Sequence, residues 1–299
     1  MAKFPHPIQY QGSKRNLASA ILQFLPQKIG RLVEPFAGTA AISVAAAARG
    51  RCQNFWLNDL NQPLVQLLES IVERPGEVAA DYARIWNEQH RNSVEHYYQV
   101  REKFNQTQDP NLFLYLLARC VKGSVRYNRQ GDFNQSPDKR RKGTRPETMQ
   151  KNIEAVSALL RGKCFLTCLD YREVLAGVEP GDLVYMDPPY QGVCGTRDAR
   201  YCAGIDLEGF VVALDVLNSK GILFAISYDG RRGEKTFGDD LPEKLCLQKV
   251  QIEGGRSSQA TLLGKAEMTV ESLYLSKALT RFLPGVANHG EGAPVIRVS

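Results

Sequence analysis

The chain has 299 residues, which is enough to bury a large core in one domain with an insertion or in two domains. A hydrophobic content of 43% and a charged content of 23% are typical of soluble globular proteins. No run of 18 apolar residues occurs, and the N-terminal segment lacks the apolar stretch of a signal peptide. We therefore expect a soluble, cytoplasmic protein.

The formal net charge of +6 is concentrated in one segment of the chain. Residues 122–145 contain eight basic and two acidic residues, so the rest of the chain is formally neutral. A local positive field favours a nucleic-acid partner, although a solvated basic loop would give the same pattern.

Cysteine and histidine do not form a recognisable metal-binding pattern. None of the seven cysteines belongs to a C-x-x-C pair, and the four histidines are scattered. We expect reduced thiols and no bound metal.

The first part of the chain alternates between helical and extended patterns. Apolar residues at helical spacing predict two amphipathic helices, and short apolar runs before Pro-Phe-Ala-Gly and Asn-Asp predict strands. A third helix is Ala-rich, opens at Thr39 and ends at Gly50. The predicted elements are a helix over Leu17–Leu25, a strand over Arg31–Phe36, a helix over Ala40–Arg49, a strand over Phe55–Leu57 and a helix over Leu60–Ile71.

The pattern then changes to helices with polar connections over residues 75–160, with a hairpin or loop at Gly123–Asn134. Strand-like runs return at Cys164–Leu169, Leu183–Met186, Ile222–Ser227, Leu245–Ile252 and Ser272–Leu275. These elements predict an α/β fold, a doubly wound and mostly parallel Rossmann-like sheet with a mainly helical insertion. We expect the sheet domain to comprise residues 1–60 and 161–283, the insertion 61–160, and a mobile tail 284–299.

The loop after the first predicted strand, Glu34-Pro-Phe-Ala-Gly-Thr, has features of a nucleoside-binding turn. Gly38 lets the backbone approach a ligand, and the following helix offers free N–H groups. Asp59 lies 21 residues further on, at the end of the next strand, where a carboxylate can accept both hydroxyls of a ribose. An ordinary strand-turn-helix with a capping Asp is the alternative.

Asp187-Pro-Pro-Tyr follows the apolar run Leu183–Met186, at the carboxyl end of a predicted buried strand. Two prolines fix the backbone and hold its carbonyl groups facing outward. A carboxylate and a carbonyl together can hold the hydrogens of an exocyclic amine while its nitrogen attacks a methyl sulfonium. Tyr190 offers a ring on which an extruded base can stack.

Several segments are similar to known sequences, namely Tyr10-Gln-Gly-Ser-Lys-Arg, Glu34 to Gly38, Asn58-Asp59, Arg126 to Asn134, Leu169-Asp170-Tyr171, Asp187 to Tyr190 and Arg256-Ser-Ser. In these segments and in the order in which they occur, the chain resembles the Dam-type DNA adenine methyltransferases from Tyr10 to about Leu275. The resemblance implies methyl transfer from S-adenosyl-L-methionine to N6 of an adenine flipped out of duplex DNA. It implies that the cofactor-binding residues are Tyr10, Lys14, Phe36, Gly38, Asp59, Asp170, Tyr171 and Asp187.

The resemblance also implies catalytic roles for Asp187, Pro188 and Tyr190, and target recognition by the insertion. We expect Arg126 and Arg129 to contact guanine or phosphates and the run from Lys139 to Lys142 to contact phosphates. The candidate DNA-binding residues are Arg126, Asn128, Arg129, Lys139, Arg140 and Arg256. A loop over residues 191–204 is expected to close over the flipped base, with an ordinary surface loop as the alternative.

Ala40 departs from the family pattern, which commonly has a second Gly there. We expect Ala40 to fit the turn with a negative φ. The alternatives to a DNA adenine methyltransferase are transfer to RNA adenine or a protein amide, and a DNA-binding protein without catalytic activity. A restriction endonuclease acting on the same site is a further potential partner.

Overall fold

A computed structural model describes residues 4–90, 92–189, 205–232, 235–237, 240–256, 268–283 and 295–297. Of residues 229–232, 235–237, 253–256, 268–269 and 295–297 it describes the backbone alone. Among all these residues, no helix has both the length and the apolar character needed to cross a membrane.

The described strands form one sheet. Their bounds are β1 Arg31–Glu34, β2 Phe55–Asn58, β3 Cys164–Thr167, β4 Asp182–Met186, β5 Leu223–Arg232, β6 Lys235–Phe237, β7 Gln248–Arg256, β8 Met268–Leu275 and β9 Val295–Arg297. The strand order is β3-β2-β1-β4-β5-β8-β7-β9, and β6 pairs with β5. Strands β1 to β5 run parallel, whereas β8 is antiparallel to both β5 and β7. The predicted mostly parallel, Rossmann-like sheet is confirmed.

Helices connect these strands and surround the sheet. They are α1 Ala18–Ile21, α2 Ala41–Ala48, α3 Gln62–Glu73, α4 Pro75–Glu88, α5 Ser93–Thr107, α6 Pro110–Arg119, α7 Pro146–Leu160, α8 Tyr171–Ala176, α9 Leu207–Ser219 and α10 Lys277–Thr280. The first predicted helix is shorter than expected, because α1 passes into a 3-10 turn at Leu22–Phe24.

Strand β4 shows why helices cover both faces of the sheet. All five of its residues are buried, and successive side chains of a strand point to opposite faces. Leu183 and Tyr185 belong to a hydrophobic cluster with residues of helices α1 to α7. Val184 and Met186 belong to a second cluster, with residues of α8 and α9. The continuous apolar run Leu183–Met186 therefore corresponds to a strand whose side chains are buried on both faces of the sheet.

The insertion shares its core with the sheet. Residues of α4, α5 and α6 lie in the same cluster as residues of α2, β1 and β2, with no break among the described residues. The boundaries at 61 and 160 stay a prediction. Of the tail predicted to be mobile, residues 295–297 form β9 beside β7, and the others lie outside the described residues.

The backbone at Ala40 differs from the expectation. Its φ is +52°, in the left-handed region, so the prediction of a negative φ is wrong. The physical reason is the tight turn before α2, in which the Ala40 N–H donates to the Ala37 carbonyl at 2.7 Å. The Thr39 hydroxyl makes no capping bond and lies 3.0 Å from the Ser13 hydroxyl instead. An alanine in this conformation costs roughly 1–2 kcal/mol.

We predict that Ala40→Gly changes the free energy of unfolding by less than about 1 kcal/mol. Relief of the left-handed strain offsets the lost buried methyl group and the greater freedom of glycine in the unfolded chain. The control is Ala46→Gly, a fully buried position inside α2, where the same exchange should cost about 2 kcal/mol. Urea denaturation of both variants tests this, and equal losses would show that Ala40 carries no strain.

Candidate active site

The residues singled out after three of the predicted strands come together at one edge of the sheet. Parallel strands end at the same edge, and β1, β2 and β4 are neighbours with aligned registers. Gly38 follows β1, Asp59 follows β2 and Asp187 follows β4. The edge therefore carries a crevice with two acidic side chains and a glycine turn.

A hydrogen bond joins the first two of these loops. The Gly38 N–H donates to Asp59 Oδ2 at 2.9 Å, and the Asn61 N–H donates to Asp59 Oδ1 at 2.9 Å. Burial raises the pKa of Asp59, while these two N–H groups oppose the rise. Gly38 has a φ of +52°, which favours glycine at this position.

Asn58, the last residue of β2, connects two loops of the crevice and was missed as a structural position. Its Nδ2 donates to the carbonyls of Pro35 and Leu169, each at 3.0 Å. Its Oδ1 accepts from the Leu169 N–H at 2.8 Å and from the Thr167 hydroxyl at 2.8 Å. The side chain is buried with both of its polar atoms bonded, so it fixes the loops after β1 and β3 relative to β2.

Aromatic side chains form one wall of the crevice. Phe36 lies 5.4 Å from Tyr171 and 6.5 Å from Phe210, measured between ring centroids. The Tyr10 ring lies 4.0 Å from the position that a Cβ on Gly38 would occupy. Phe36, Tyr171 and Tyr10, three predicted cofactor-binding residues, are thus brought to the Gly38 turn.

Asp170 has a local role in this structure. It caps α8 by accepting the Arg172 N–H at 2.9 Å, and the Arg172 guanidinium donates to both of its oxygens. The hydrogen bonds from Arg172 lower the pKa of Asp170. Both of its carboxylate oxygens therefore already accept hydrogen bonds from a neighbour in the chain.

Lys14 reaches from the N-terminal segment into the end of β4. Its Nζ lies 2.7 Å from Asp187 Oδ1 and 3.1 Å from Glu271 Oε1. Burial alone would lower the pKa of the Lys14 ammonium, but the Asp187 and Glu271 carboxylates together hold that pKa above its usual value. We call these three residues the Lys14 cluster.

Glu271 of the Lys14 cluster was missed by the sequence analysis. It lies in β8, beyond β5 in the sheet, and its side chain is 10% exposed. A charged residue within a mostly apolar strand is the only sequence signal, and that signal does not identify Lys14 as the partner. Nearby, the buried Tyr185 hydroxyl lies 2.7 Å from Ser227 Oγ. Burial and the Asp187 charge raise the pKa of Tyr185 well above its usual value, so its phenol stays neutral.

Glu34, at the end of β1, is a buried carboxyl group with a structural partner. Its Oε1 accepts the Ser43 N–H at 2.8 Å, which satisfies a free donor in the first turn of α2. Burial raises the pKa of Glu34 to about 7, against the opposing effect of the Ser43 hydrogen bonds. Glu34 therefore caps α2, whose N-cap residue Ala40 has no side-chain acceptor.

The segment Gly123–Asn134, expected to be a hairpin or loop, contains an isolated antiparallel bridge between Tyr127 and Phe133. Phe133 is fully buried against Phe104 and Phe113, and its N–H and carbonyl both bond to the Asn105 side chain. Arg126 and Arg129 are exposed. The hairpin thus has a fixed base and presents two guanidinium groups to solvent.

The Asn128 side chain forms hydrogen bonds within the hairpin. Its Oδ1 accepts the Asp132 N–H at 2.8 Å, and its Nδ2 donates to Asp132 Oδ2 at 3.0 Å. These bonds close a turn that follows Arg126 and contains Arg129. The structure therefore gives Asn128 a role in shaping the loop.

The basic run beyond the hairpin is held by Arg119, another residue that the sequence analysis missed. Arg119 is 1% exposed, and its guanidinium donates to the carbonyls of Asp138, Arg141 and Ser93. Lys139 and Arg140 are exposed above it. The buried Arg119 side chain thus fixes the backbone that carries the exposed Lys139 and Arg140 side chains.

The hairpin also contacts the crevice. The Tyr127 hydroxyl donates to Asn61 Oδ1 at 3.2 Å, two residues beyond Asp59. The Gln11 N–H, three residues before Lys14, donates to the Gly123 carbonyl at 2.9 Å. The candidate recognition element and the candidate active site are therefore joined by direct hydrogen bonds.

The remaining predicted positions are described incompletely. Pro188 is buried directly after Asp187, whereas Tyr190 and the loop over 191–204 lie outside the described residues. Arg256 is described by its backbone alone, opposite Met268. In the described part of the chain, no group of three or more His, Cys, Asp or Glu side chains is arranged to hold a metal.

A mostly parallel sheet with a glycine turn after β1, an acidic residue after β2 and Asp-Pro-Pro after β4 defines the class of Rossmann-like methyltransferases. A family model described as D12 class N6 adenine-specific DNA methyltransferase matches residues 10–210. The match covers more than half of the chain, and the chain belongs to this family. The resemblance to adenine methyltransferases of DNA is thereby confirmed.

Individual proteins similar to this chain have names that agree with the family description. The DNA adenine methylase of Escherichia coli (strain K12) is 31% identical over 195 residues, which cover 64% of this chain and 66% of that protein. The DNA adenine methylase of Serratia marcescens is 29% identical, with 64% and 68% covered. The DNA N-6-adenine-methyltransferase of Escherichia phage P1 is 28% identical over 215 residues, 69% of this chain and 27% of that protein.

The chain therefore spans about two thirds of the bacterial relatives and about a quarter of the phage protein. Among solved structures, an rRNA methyltransferase from Streptomyces viridochromogenes is 16% identical, with a TM-score of 0.38 over 91% of this chain and 86% of that one. That similarity is too low to argue from.

The raised pKa of Glu34 predicts a specific dependence of stability on pH. Between its ordinary value of 4.5 and about 7, Glu34 is ionised in the unfolded chain but protonated in the folded protein. The folded state then binds more protons, so a rise in pH across this window lowers stability. Glu34→Gln keeps an acceptor for Ser43 and removes the ionisable group.

We predict that Glu34→Gln gains stability relative to the parent protein between pH 5 and pH 8, by on the order of 2–3 kcal/mol. Urea denaturation of both proteins at several pH values gives this difference. A difference that stays constant over the whole range would mean that Glu34 titrates normally in the folded protein.

Proposed function

We propose that this chain transfers a methyl group from S-adenosyl-L-methionine to N6 of an adenine extruded from duplex DNA. The observation that carries the proposal is the common edge of the sheet at which Gly38, Asp59 and the Lys14–Asp187 pair meet. Family membership supports the choice of adenine in DNA over adenine in RNA or a protein amide. It also argues against a DNA-binding protein without catalytic activity, because Lys14, Asp59 and Asp187 are all present.

The described residues fit a nucleoside-containing cofactor. Asp59 would accept the ribose hydroxyls, since its carboxylate follows β2 and lies beside the Gly38 turn. The exposed side chains of Leu60 and Leu169 offer apolar surface beside Asp59 for a purine ring. Phe36, Tyr171 and Tyr10 would pack against the cofactor on the other side of the turn. When bound, the cofactor supplies an electrophilic methyl group on a sulfonium.

Asp187 would hold the target amine. The carboxylate is ion-paired to Lys14 through Oδ1, and this pairing fixes its orientation. An ionised carboxylate accepts hydrogen bonds only, as does a backbone carbonyl of the Pro-Pro segment. These two acceptors would bind the amino hydrogens and direct the nitrogen lone pair to the methyl carbon. Formation of the nitrogen–methyl bond would break the methyl–sulfur bond and leave a neutral thioether. The methylated amine would then release one proton to solvent, so the step requires no stronger base.

The insertion would bring duplex DNA to this edge. The exposed Arg126 and Arg129, one before the hairpin turn and one within it, suit bidentate contacts to guanine or phosphate clamps. Lys139 and Arg140 suit phosphate contacts, which position DNA without reading its sequence. A cognate restriction endonuclease stays a prediction of the sequence analysis.

Labelled-methyl transfer tests the proposed activity and the role of Asp187 together. With tritiated S-adenosyl-L-methionine, we expect label in unmethylated plasmid DNA and none in RNA or protein. Asp187→Ala should lower the transfer rate by at least about 100-fold and change cofactor affinity by less than about tenfold, because Asp187 acts on the amine. The control is Asp215→Asn, an exposed carboxylate on α9. Full turnover by the Asp187→Ala variant would remove this residue from the mechanism.

Two sets of basic residues should have separable effects on DNA. Arg126→Ala should relax the sequence choice, which is measured by sequencing the methylated adenines in treated DNA. The double change Lys139→Ala and Lys142→Ala should leave that choice intact and reduce the slope of log affinity against log salt by about 2. Fluorescence anisotropy over a salt series gives the slope. Unchanged specificity in the Arg126→Ala variant would mean that recognition lies elsewhere.

A further inference from the structure

A buried hydrogen bond joins the hairpin to the loop that carries Asp59. The Tyr127 hydroxyl donates to Asn61 Oδ1 at 3.2 Å, across 66 positions of sequence, and both side chains are buried. Tyr127 directly follows the exposed Arg126, and Asn61 lies two residues beyond Asp59. The bond therefore connects the neighbour of a predicted DNA contact with the neighbour of the proposed ribose acceptor.

Local stability does not explain the placement of the Asn61 side chain. Asn61 is the N-cap residue of α3, a position at which an Asn oxygen usually accepts an N–H of the first helical turn. No such bond forms here, and the oxygen accepts the Tyr127 hydroxyl instead. Asn61 Nδ2 is buried and has no hydrogen-bond partner among the described residues, which is costly. The side chain thus forgoes a local cap for a contact with the hairpin.

The Asn61 backbone acts on the side of the proposed cofactor site. Its N–H donates to Asp59 Oδ1 at 2.9 Å. Its carbonyl accepts the N–H groups of Leu64 and Val65 at 2.9 and 3.1 Å, which ties the residue to the first turn of α3. Asn61 therefore contacts Asp59 through its backbone and Tyr127 through its side chain.

We propose that Asn61 is a positioning residue that links Asp59 to the hairpin, so that the cofactor and duplex DNA each strengthen the binding of the other. This inference rests on the proposed function and deepens it. Ribose hydroxyls bound by Asp59 order the Asn61 backbone, and the Tyr127 hydroxyl then meets an acceptor that is already fixed. The hairpin loses less conformational freedom when DNA binds to this ordered state, which is a favourable coupling. Such coupling is reciprocal, so DNA strengthens cofactor binding by the same factor.

The coupling is measured as a ratio of two affinities for S-adenosyl-L-homocysteine, the thioether that remains after methyl transfer and supports no turnover. Isothermal titration calorimetry of the full chain gives its dissociation constant alone and with saturating, sheared, unmethylated plasmid DNA. For the parent protein, we expect DNA to tighten this binding on the order of tenfold. Tyr127→Phe keeps the ring and removes the hydroxyl, and it should lower the ratio to below about threefold, since one hydrogen bond can supply a factor of this size.

Asn61→Ala tests the same bond from its other end. It keeps the backbone N–H that bonds to Asp59, and it removes no cap from α3 because the Asn61 side chain provides none. We expect it to lower the ratio as much as Tyr127→Phe does, and the double variant to lower it no further. This double-mutant cycle separates the bond from other contacts of Tyr127, and either single variant tests the inference if the other does not fold.

The control is Tyr97→Phe. The buried Tyr97 hydroxyl donates to the Gln135 carbonyl at 2.9 Å, within the insertion and one residue beyond the hairpin. Its loss should leave the ratio unchanged, even if DNA binding itself becomes weaker. A purely structural role of the Tyr127–Asn61 bond would give the same result in its own variants, because the affinities would fall while their ratio stayed the same.

Three results would overturn the inference and leave the proposed function intact. They are a parent ratio near one, a ratio that Tyr127→Phe and Asn61→Ala leave at the parent value, and effects of the two changes that add in the double variant. A parent protein that binds no S-adenosyl-L-homocysteine would instead contradict the proposed function, on which the inference rests.

Discussion

The Lys14–Asp187 ion pair is the interaction on which the arrangement of the crevice depends. It joins a segment near the start of the chain to the end of a central strand, across 173 positions of sequence. Asp187 is held there by a buried strand and two prolines, so the ammonium meets a rigid partner. The pair also sets the place of Gln11, which bonds to the base of the hairpin. The proposed catalytic carboxylate, the N-terminal segment and the hairpin are thus joined by one set of contacts.

The sheet supplies the other half of the arrangement. Parallel strands bring their carboxyl ends to one edge, and the Gly38–Asp59 hydrogen bond then locks two of the loops that follow them. Asn58 extends this lock to the loop after β3. Polar groups that would be costly to bury singly are satisfied by one another, which makes the crevice rigid before any ligand binds.

The sequence predicted what local patterns determine. Apolar runs followed by Gly38, Asp59 and Asp187 identified the strands and the sites at their ends, because strand period and turn chemistry are local properties. Glu271 and Arg119 were missed, because a buried charge is defined by partners far away in the chain. The assumed negative φ of Ala40 was wrong, since the turn that holds it is set by packing. Asp170 and Asn128 each bond to a close neighbour in the chain, and their predicted binding roles stay predictions.

A crystal structure of the protein with S-adenosyl-L-methionine tests the central claim most directly. The account predicts the ribose hydroxyls within about 3 Å of the Asp59 carboxylate and the methyl group turned towards Asp187. It also predicts that the Lys14 ammonium keeps its contacts with both carboxylates. A cofactor bound away from the Gly38 turn, or a methyl group facing away from Asp187, would contradict the account.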